Sequence, residues 1–424
     1  MDKKVPHVIV IGGGFGGLQL IKQLGNKPVQ ITWFDKNNYH TFQPLLYQVA
    51  SGGLGPDSIA FPLRKLAAKL SNVKFRLAEV TLVLPHQNQI VTNIGNFSYD
   101  YLIIATGTTT NFYGNASLAN NCMQLKTMSQ ALDLRSDILQ EFEKAILHQH
   151  TDEVNRILNF VVVGGGPTGV ETAGAIAEMK NNVLPADYRE LNPSIMQVHL
   201  VESGKELLSM FHPQLSEKAK EGLTKLGVNV WLNTKVASYQ NGLLTLSNGK
   251  TLQTDTVIWS AGVTGQIIPG LEQAITKGNR YLVDDYNAIK AFENIFAIGD
   301  IASMATTIFP NGHPQVAPAA MQQANLLAKN LLRKLKGQTL VPFQYKDMGS
   351  MATIGRHKAI VQVFGLKWSG YFAWFVWMAL HLMLLVSYRN KLIVLVNWMW
   401  NYFTYQRAIR IIVRPFIGKE INEK

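Results

Sequence analysis

The chain has 424 residues, enough for more than one domain with a core of its own. Hydrophobic residues make up 47% and charged residues 16%, which excludes a disordered polyelectrolyte and leaves room for a lipid-facing segment. Forty Lys and Arg against 28 Asp and Glu give a net charge of +12, suited to some anionic partner, and a single cysteine, Cys122, excludes an intramolecular disulfide, a Cys-x-x-Cys redox pair and a Cys-rich metal site.

The N-terminal apolar run Val8-Ile9-Val10-Ile11 is too short for a secretory signal, so a cytoplasmic start is expected. It reads instead as a buried parallel strand, and Gly12-Gly13-Gly14-Phe15-Gly16-Gly17 follows at once. The GxGxxG spacing falls on Gly12, Gly14 and Gly17: a tight turn, a close backbone approach to a pyrophosphate, and close packing of a helix on its strand. A second apolar strand over 29–34 ends in Asp35, whose carboxylate can accept hydrogen bonds from an adenosine ribose.

The arrangement repeats. Phe160-Val161-Val162-Val163 leads into Gly164-Gly165-Gly166-Pro167-Thr168-Gly169, with the same spacing on Gly164, Gly166 and Gly169. Here the second strand, 197–201, ends in Glu202, and the long interval from glycines to acid predicts an insertion around 181–193. Two dinucleotide frames imply two dinucleotides, a tightly held flavin and a nicotinamide hydride source. Glu202 would repel a 2′-phosphate, so NADH is expected over NADPH, with Lys205 nearby pulling the other way.

Later segments carry a family likeness. Asp100-Tyr101-Leu102-Ile103-Ile104-Ala105-Thr106-Gly107 and Ile295-Phe296-Ala297-Ile298-Gly299-Asp300 resemble two strand-end segments of two-dinucleotide flavoprotein reductases. The loop Asn38-Tyr39-His40-Thr41-Phe42-Gln43-Pro44-Leu45-Leu46-Tyr47-Gln48-Val49-Ala50-Ser51-Gly52, the stretch Gly166 to Glu171, the stretch Val316 to Gln323, and Gly349-Ser350-Met351-Ala352-Thr353-Ile354-Gly355 resemble those of type II NADH dehydrogenases. The likeness implies an α/β protein with two Rossmann-like domains: an FAD domain over 1–115 and 285–340, an NADH domain over 116–284, and a C-terminal membrane-associating and quinone-site region over 341–424. It implies FAD contacts at Pro44, Val80, Ala105, Thr106, Gly107, Asp300 and Ala317, and Gly262 along the NADH path. Glu171 would be the functional glutamate and Gln322 a ligand of a quinone carbonyl. Many family members carry a first Gln where this chain has Pro318, which weakens a two-Gln account of the headgroup.

The expected activity is oxidation of NADH through FAD with reduction of a membrane quinone, without proton pumping. Cys122 alone cannot support a disulfide reductase or a sulfide:quinone oxidoreductase. Glu171 falls in the first turn of a helix, where a carboxylate could equally serve only to complement the helix terminus. No cluster has metal-ligand spacing and the basic residues are dispersed, so neither a metal nor nucleic acid is expected.

Residues 371–388 form an 18-residue run without formal charge, spanning about 27 Å as a helix at about 1.5 Å per residue, just short of a bilayer core. A second uncharged run over 392–405 follows Arg389 and Lys391 and is shorter still. A single crossing would export those cations with Arg407, Arg410 and Arg414, so a monotopic hairpin over 371–405 on the cytoplasmic face of the inner membrane is expected, with a homodimer also open. Truncation near Leu366 is expected to spare both cofactor frames. Two other readings stand beside this one: a soluble NADH-dependent flavin reductase whose C-terminal helices dimerise, and a redox-sensing membrane flavoprotein with negligible turnover.

Overall fold

The computed structural model describes residues 5–276, 278–404 and 409–412; Tyr405, Arg407 and Arg414 of the expected anchor lie outside them. The chain forms two compact units. The first takes residues up to 41 with 60–109 and 263–348, and the second takes 42–59, 110–262 and 349 onward. The segment 42–59, which a reading of 1–115 as one piece groups with the first glycine loop, thus belongs to the second unit.

In the first unit five parallel strands lie in the order Ile295–Ala297, Tyr101–Ile104, His7–Ile11, Gln30–Asp35, Val73–Leu77. The β-branched run that announced the first strand is buried along its length, as a strand covered on both faces must be. Helix Phe15–Leu24 crosses over from the first strand to the second and packs on helix Ala317–Leu335. A three-stranded antiparallel meander, Val80–Leu84, Gln89–Thr92 and Gly95–Ser98, is inserted before the return strand Tyr101–Ile104. Ile90, Val83 and Phe34 join Ile9, Leu102 and Tyr281 in one apolar core, each large side chain contributing roughly 1.5–3 kcal/mol by leaving water.

The second unit repeats this plan strand for strand: Met123–Gln124, Thr256–Trp259, Asn159–Val163, Gln197–Val201, Val228–Trp231, all parallel. Its meander, Val236–Gln240, Leu243–Leu246 and Thr251–Gln253, again precedes the return strand. The interval expected to hold an insertion is a helical extension. Helix Pro167–Glu178 runs on through a wide turn at Met179–Val183 into Leu184–Asp187.

Residues 349 onward are not an appendage to this unit. Strands Ser350–Thr353, Ala359–Val363 and Leu366–Gly370 form an antiparallel sheet that passes into helices Tyr371–Leu384 and Tyr388–Thr404. Ala373, Trp374, Trp377 and His381 of the first helix and Val394 and Trp398 of the second are buried. Truncation after Leu366 would therefore strip part of the second unit's core, contrary to the expectation of a dispensable tail. The first helix stops at Leu384, short of the uncharged run, and Lys391 Nζ donates to the carbonyl of Met383 at its end (2.9 Å). Among the described residues no helix is long and apolar enough to cross a membrane.

Candidate functional site

Both glycine loops are built by the same contacts. Gly12 N–H donates to the Phe34 carbonyl and Gly164 N–H to the Val201 carbonyl, each at 2.8 Å, which ties the loop to the end of the neighbouring strand. Gly12 (φ +109°) and Gly164 (φ +110°) hold a backbone conformation that a side chain would strain. A Cβ on Gly17 would strike the Gly12 carbonyl oxygen, and one on Gly169 the Gly164 carbonyl oxygen. By contrast, a Cβ on Gly14 or Gly166 would meet nothing within 4 Å. That leaves an open approach to a helix N-terminus in each frame, a geometry suited to an anion.

The acids repeat as well. Asp35 accepts the N–H of Gly13, the middle glycine, and that of Asn37 (2.6 Å). Glu202 accepts the N–H of Gly165 and that of Gly204, both at 2.5 Å. Burial raises the Asp35 carboxyl above its ordinary pKa against the pull of these donors.

The remaining residues proposed for FAD, except Pro44, lie in the first unit. Ala105, Thr106 and Gly107 follow strand Tyr101–Ile104, and the Thr106 hydroxyl donates to the Gln266 carbonyl (2.7 Å). Asp300 sits in the turn Gly299–Ile301 and accepts from the Thr108 hydroxyl (3.3 Å). Val80 opens the meander and Ala317 the long helix. Pro44 lies in the turn Gln43–Leu45 and belongs to the second unit; Gly262, in the same unit, lies so close under the Tyr113 hydroxyl that a Cβ there would strike it. The amide of Gln322 is engaged on both sides: Nε2 donates to the Lys346 carbonyl (2.9 Å) and Oε1 accepts the Lys346 N–H (3.0 Å). It is the neighbouring Gln323, buried and overlooked in the sequence, that reaches the Gly299 N–H beside Asp300 (2.7 Å).

Glu171 departs from the helix-terminus alternative. It lies past the first turn of helix Pro167–Glu178, not in it as expected, and its buried carboxyl accepts the Thr353 N–H (3.1 Å) and Thr353 hydroxyl (3.4 Å). Burial outweighs both bonds and pushes it up to about 8. It lines a cavity with Tyr47, Glu178, Arg356, Trp374 and Trp398, a chamber in which aromatic rings stand beside polar and charged groups. Thr353 and Tyr47 stood in motifs that carried the family likeness, yet nothing in their spacing marks their hydroxyls; only the fold brings them to Glu171. His40 and His381 are both buried near-neutral histidines, pulled down to about 4 by burial and tied to backbone carbonyls, and neither needs a catalytic role. Cys122 is buried and its thiol is pushed up to about 12, the opposite of a reactive thiolate.

Comparison with known proteins fits this plan. Residues 6–324 match the pyridine nucleotide-disulphide oxidoreductase family, and residues 348–405 match the NDH2 C-terminal domain. The type II NADH:quinone oxidoreductase NdhA of Mycobacterium tuberculosis is 36% identical over 412 residues, covering 92% of this chain and 86% of its own. The chain belongs to the type II NADH:quinone oxidoreductases. The Haemophilus influenzae member is 30% identical over 417 residues, covering 89% of this chain and 93% of its own. The solved structure of Plasmodium falciparum NDH2 in complex with NADH superposes with a TM-score of 0.89 at 21% identity, covering 97% of this chain and all of the other. The fold is shared more distantly with the sulfide:quinone oxidoreductase of Aquifex aeolicus (TM-score 0.71, 19% identity, 95% and 96% covered).

Proposed function

We propose that this chain carries out its family's reaction with the first glycine frame holding FAD, the second holding NADH, and Glu171 supplying a proton to the quinone. FAD, when bound, would supply the two-electron relay between NADH and quinone. The sum, NADH + H⁺ + quinone → NAD⁺ + quinol, consumes one proton, which a carboxylic acid poised near neutral pH can deliver. The observation that carries this reading is the buried Glu171 carboxyl facing a cavity lined by both aromatic and polar side chains. Asp35 would hold the ribose of FAD and Glu202 that of NADH, favouring NADH because a 2′-phosphate would meet a carboxylate. Gln322 would have to release Lys346 before its amide could take a quinone carbonyl, which leaves Glu171 the more available partner.

The outward side of the two C-terminal helices supports a seat on the membrane. Phe372, Phe375, Met383, Leu392, Met399 and Trp400 are exposed, while the opposite side packs into the second unit. A net charge of +12 favours an anionic leaflet, consistent with the cytoplasmic face, and the reaction moves no ion across the membrane. The test separates the half-reactions by stopped flow. Glu171→Gln is expected to slow quinone-driven flavin reoxidation by about 10²-fold while flavin bleaching by NADH changes less than about twofold. Equal slowing of both would reduce Glu171 to a residue that shapes the site.

A further inference from the structure

The contacts around Glu171 continue into a chain of hydrogen bonds whose outer donors are fixed by their chemistry. The Trp398 indole N–H can only donate, and it does so to Gln48 Oε1 (2.7 Å). That orients the Gln48 amide, so Nε2 donates to the Tyr47 hydroxyl (2.9 Å). The Tyr47 hydroxyl, having accepted, has its own proton for the Thr353 hydroxyl 2.9 Å away. The Thr353 hydroxyl in turn donates to Glu171 Oε1, with its backbone N–H on the same oxygen. Every donor in the series points toward the carboxyl. Tyr47, Thr353, Trp398 and Glu171 are buried and Gln48 is half-buried, so each bond of the series lies largely out of bulk water.

Resting on the reading of Glu171 as the proton donor, we infer that Tyr47 is a positioning residue for it: the series Trp398, Gln48, Tyr47, Thr353 steadies the ionised Glu171 and ties its protonation to the seating of helix Tyr388–Thr404. Bonds donated to a carboxylate favour its charged form, and aligned donors polarise one another. The series therefore opposes burial, and holds at a usable pH a group that burial alone would keep protonated. The other titratable and charged groups facing the same cavity are Glu178 on Glu171's own helix, Arg356 after strand Ser350–Thr353, and Tyr402 on the last helix. None of them is a member of the series, so each stays constant in the variants below. Tyr47 remains protonated throughout, because burial and the nearby Glu171 and Glu178 push its hydroxyl far up.

The test is an infrared titration of the flavin-loaded full-length protein, following the protonated-carboxyl band that Glu171→Gln removes. This readout does not depend on turnover, so it stands even if Glu171→Gln leaves quinone-driven reoxidation untouched and the proton-donor reading fails. Tyr47→Phe is expected to raise the midpoint by about one pH unit, a tenfold drop in the ionisation constant. Thr353→Val should raise it at least as far, and Trp398→Phe less but in the same direction. An unmoved midpoint in Tyr47→Phe, or a lowered one in Trp398→Phe, overturns the inference. If Tyr47→Phe loses its flavin, Gln48→Met carries the same expectation and the same refutation.

Discussion

The two dinucleotide units are nearly superposable in plan, and they differ at one helical position that separates scaffold from chemistry. Counting seven residues on from the first glycine leads from Gly12 to Gln19 and from Gly164 to Glu171. Gln19 is half-buried and its amide donates to Asn325 (2.7 Å), pinning its helix to the long helix Ala317–Leu335. Glu171 occupies the same place in the second unit, is buried, and points into a cavity. A repeated fold thus carries a neutral strut in one copy and an ionisable group in the other. Under the proposed reading the frame serves binding, and the departure from the frame is where the proton chemistry is placed.

The largest expected effect tests whether the two frames act separately. Gly17→Ala and Gly169→Ala each drive a methyl group into a carbonyl oxygen that the sheet holds in place. Overpacking of this kind costs about 1–3 kcal/mol or more where backbone cannot yield. Gly17→Ala should purify with little flavin, read from the ratio of flavin to protein absorbance. Gly169→Ala should keep its yellow colour while the KM for NADH rises at least about tenfold, a loss of about 1.4 kcal/mol of binding. Flavin loss from both would mean that the frames are not independent.

Next in size is the pH dependence of stability, where Gln19 and Glu171 can be exchanged. Burial raises folded Glu171 to about 8, above the ordinary 4.5 that it regains on unfolding. Between those values the folded protein binds this proton and the unfolded chain does not, so the stabilisation present below about 4.5 is lost as pH rises toward 8. The slope approaches 1.4 kcal/mol per pH unit. Glu171→Gln removes it, so the Tm of the variant relative to the parent should climb steadily across that window. Asp137, raised to about 7 chiefly by burial, has the same sign in both proteins and cancels. Gln19→Glu places a carboxyl where the surroundings are only half-buried, and its Tm difference should stay nearly flat. A flat difference for Glu171→Gln would mean that its carboxyl is solvated in solution.

How much of this could be read beforehand follows from sequence distance. The glycine loops, their strands and the acids at Asp35 and Glu202 are local patterns, each fixed within one crossover unit, and they were legible. The hydrogen bonds of those acids to Gly13 and Gly165 follow from the same geometry. The surroundings of Glu171 were not legible, because Tyr47, Thr353 and Trp398 come from segments separated by more than a hundred residues on either side. Gln322 drew attention as the amide surviving beside Pro318, but helical phase turns Gln323 inward instead. The C-terminal helices read chiefly as an anchor, with packing or dimerisation left open, because a string of tryptophans has no hydropathic sign of which side is buried; the low amphipathicity hides that Trp374, Trp377 and Trp398 belong to the core.

A smaller effect is expected from the acids. Glu202→Ala should lower the preference for NADH over NADPH by about tenfold, since one carboxylate facing a 2′-phosphate accounts for about 1.4 kcal/mol. Flavin content should not change, because among the described residues the Glu202 carboxylate bonds within the second unit's loop. Asp35→Ala should do the reverse, lowering flavin content without altering the nicotinamide preference of the protein that retains flavin. Measured ratios that move together would again break the separation of the two frames.

The smallest effects belong to the outer side of the C-terminal helices, compared with their inner side. Phe372 is 66% exposed, Leu392 62% and Trp400 57%, so Phe372→Ser, Leu392→Ser and Trp400→Ser should each change folding stability by no more than about 0.5 kcal/mol. Full insertion of such a side chain into lipid would contribute about 1.5–3 kcal/mol, and a helix lying in the interface realises part of that. Each single substitution should therefore weaken binding to vesicles containing an anionic lipid several-fold, and the triple substitution should abolish co-sedimentation while flavin and NADH oxidation with a water-soluble acceptor persist. Trp377→Ser, on the buried side, should instead lower the Tm with little selective effect on vesicle binding. Sedimentation velocity without lipid decides what the outer side meets. If the triple variant binds vesicles normally but shifts from dimer to monomer, that side is a subunit interface, and the membrane seat lies elsewhere.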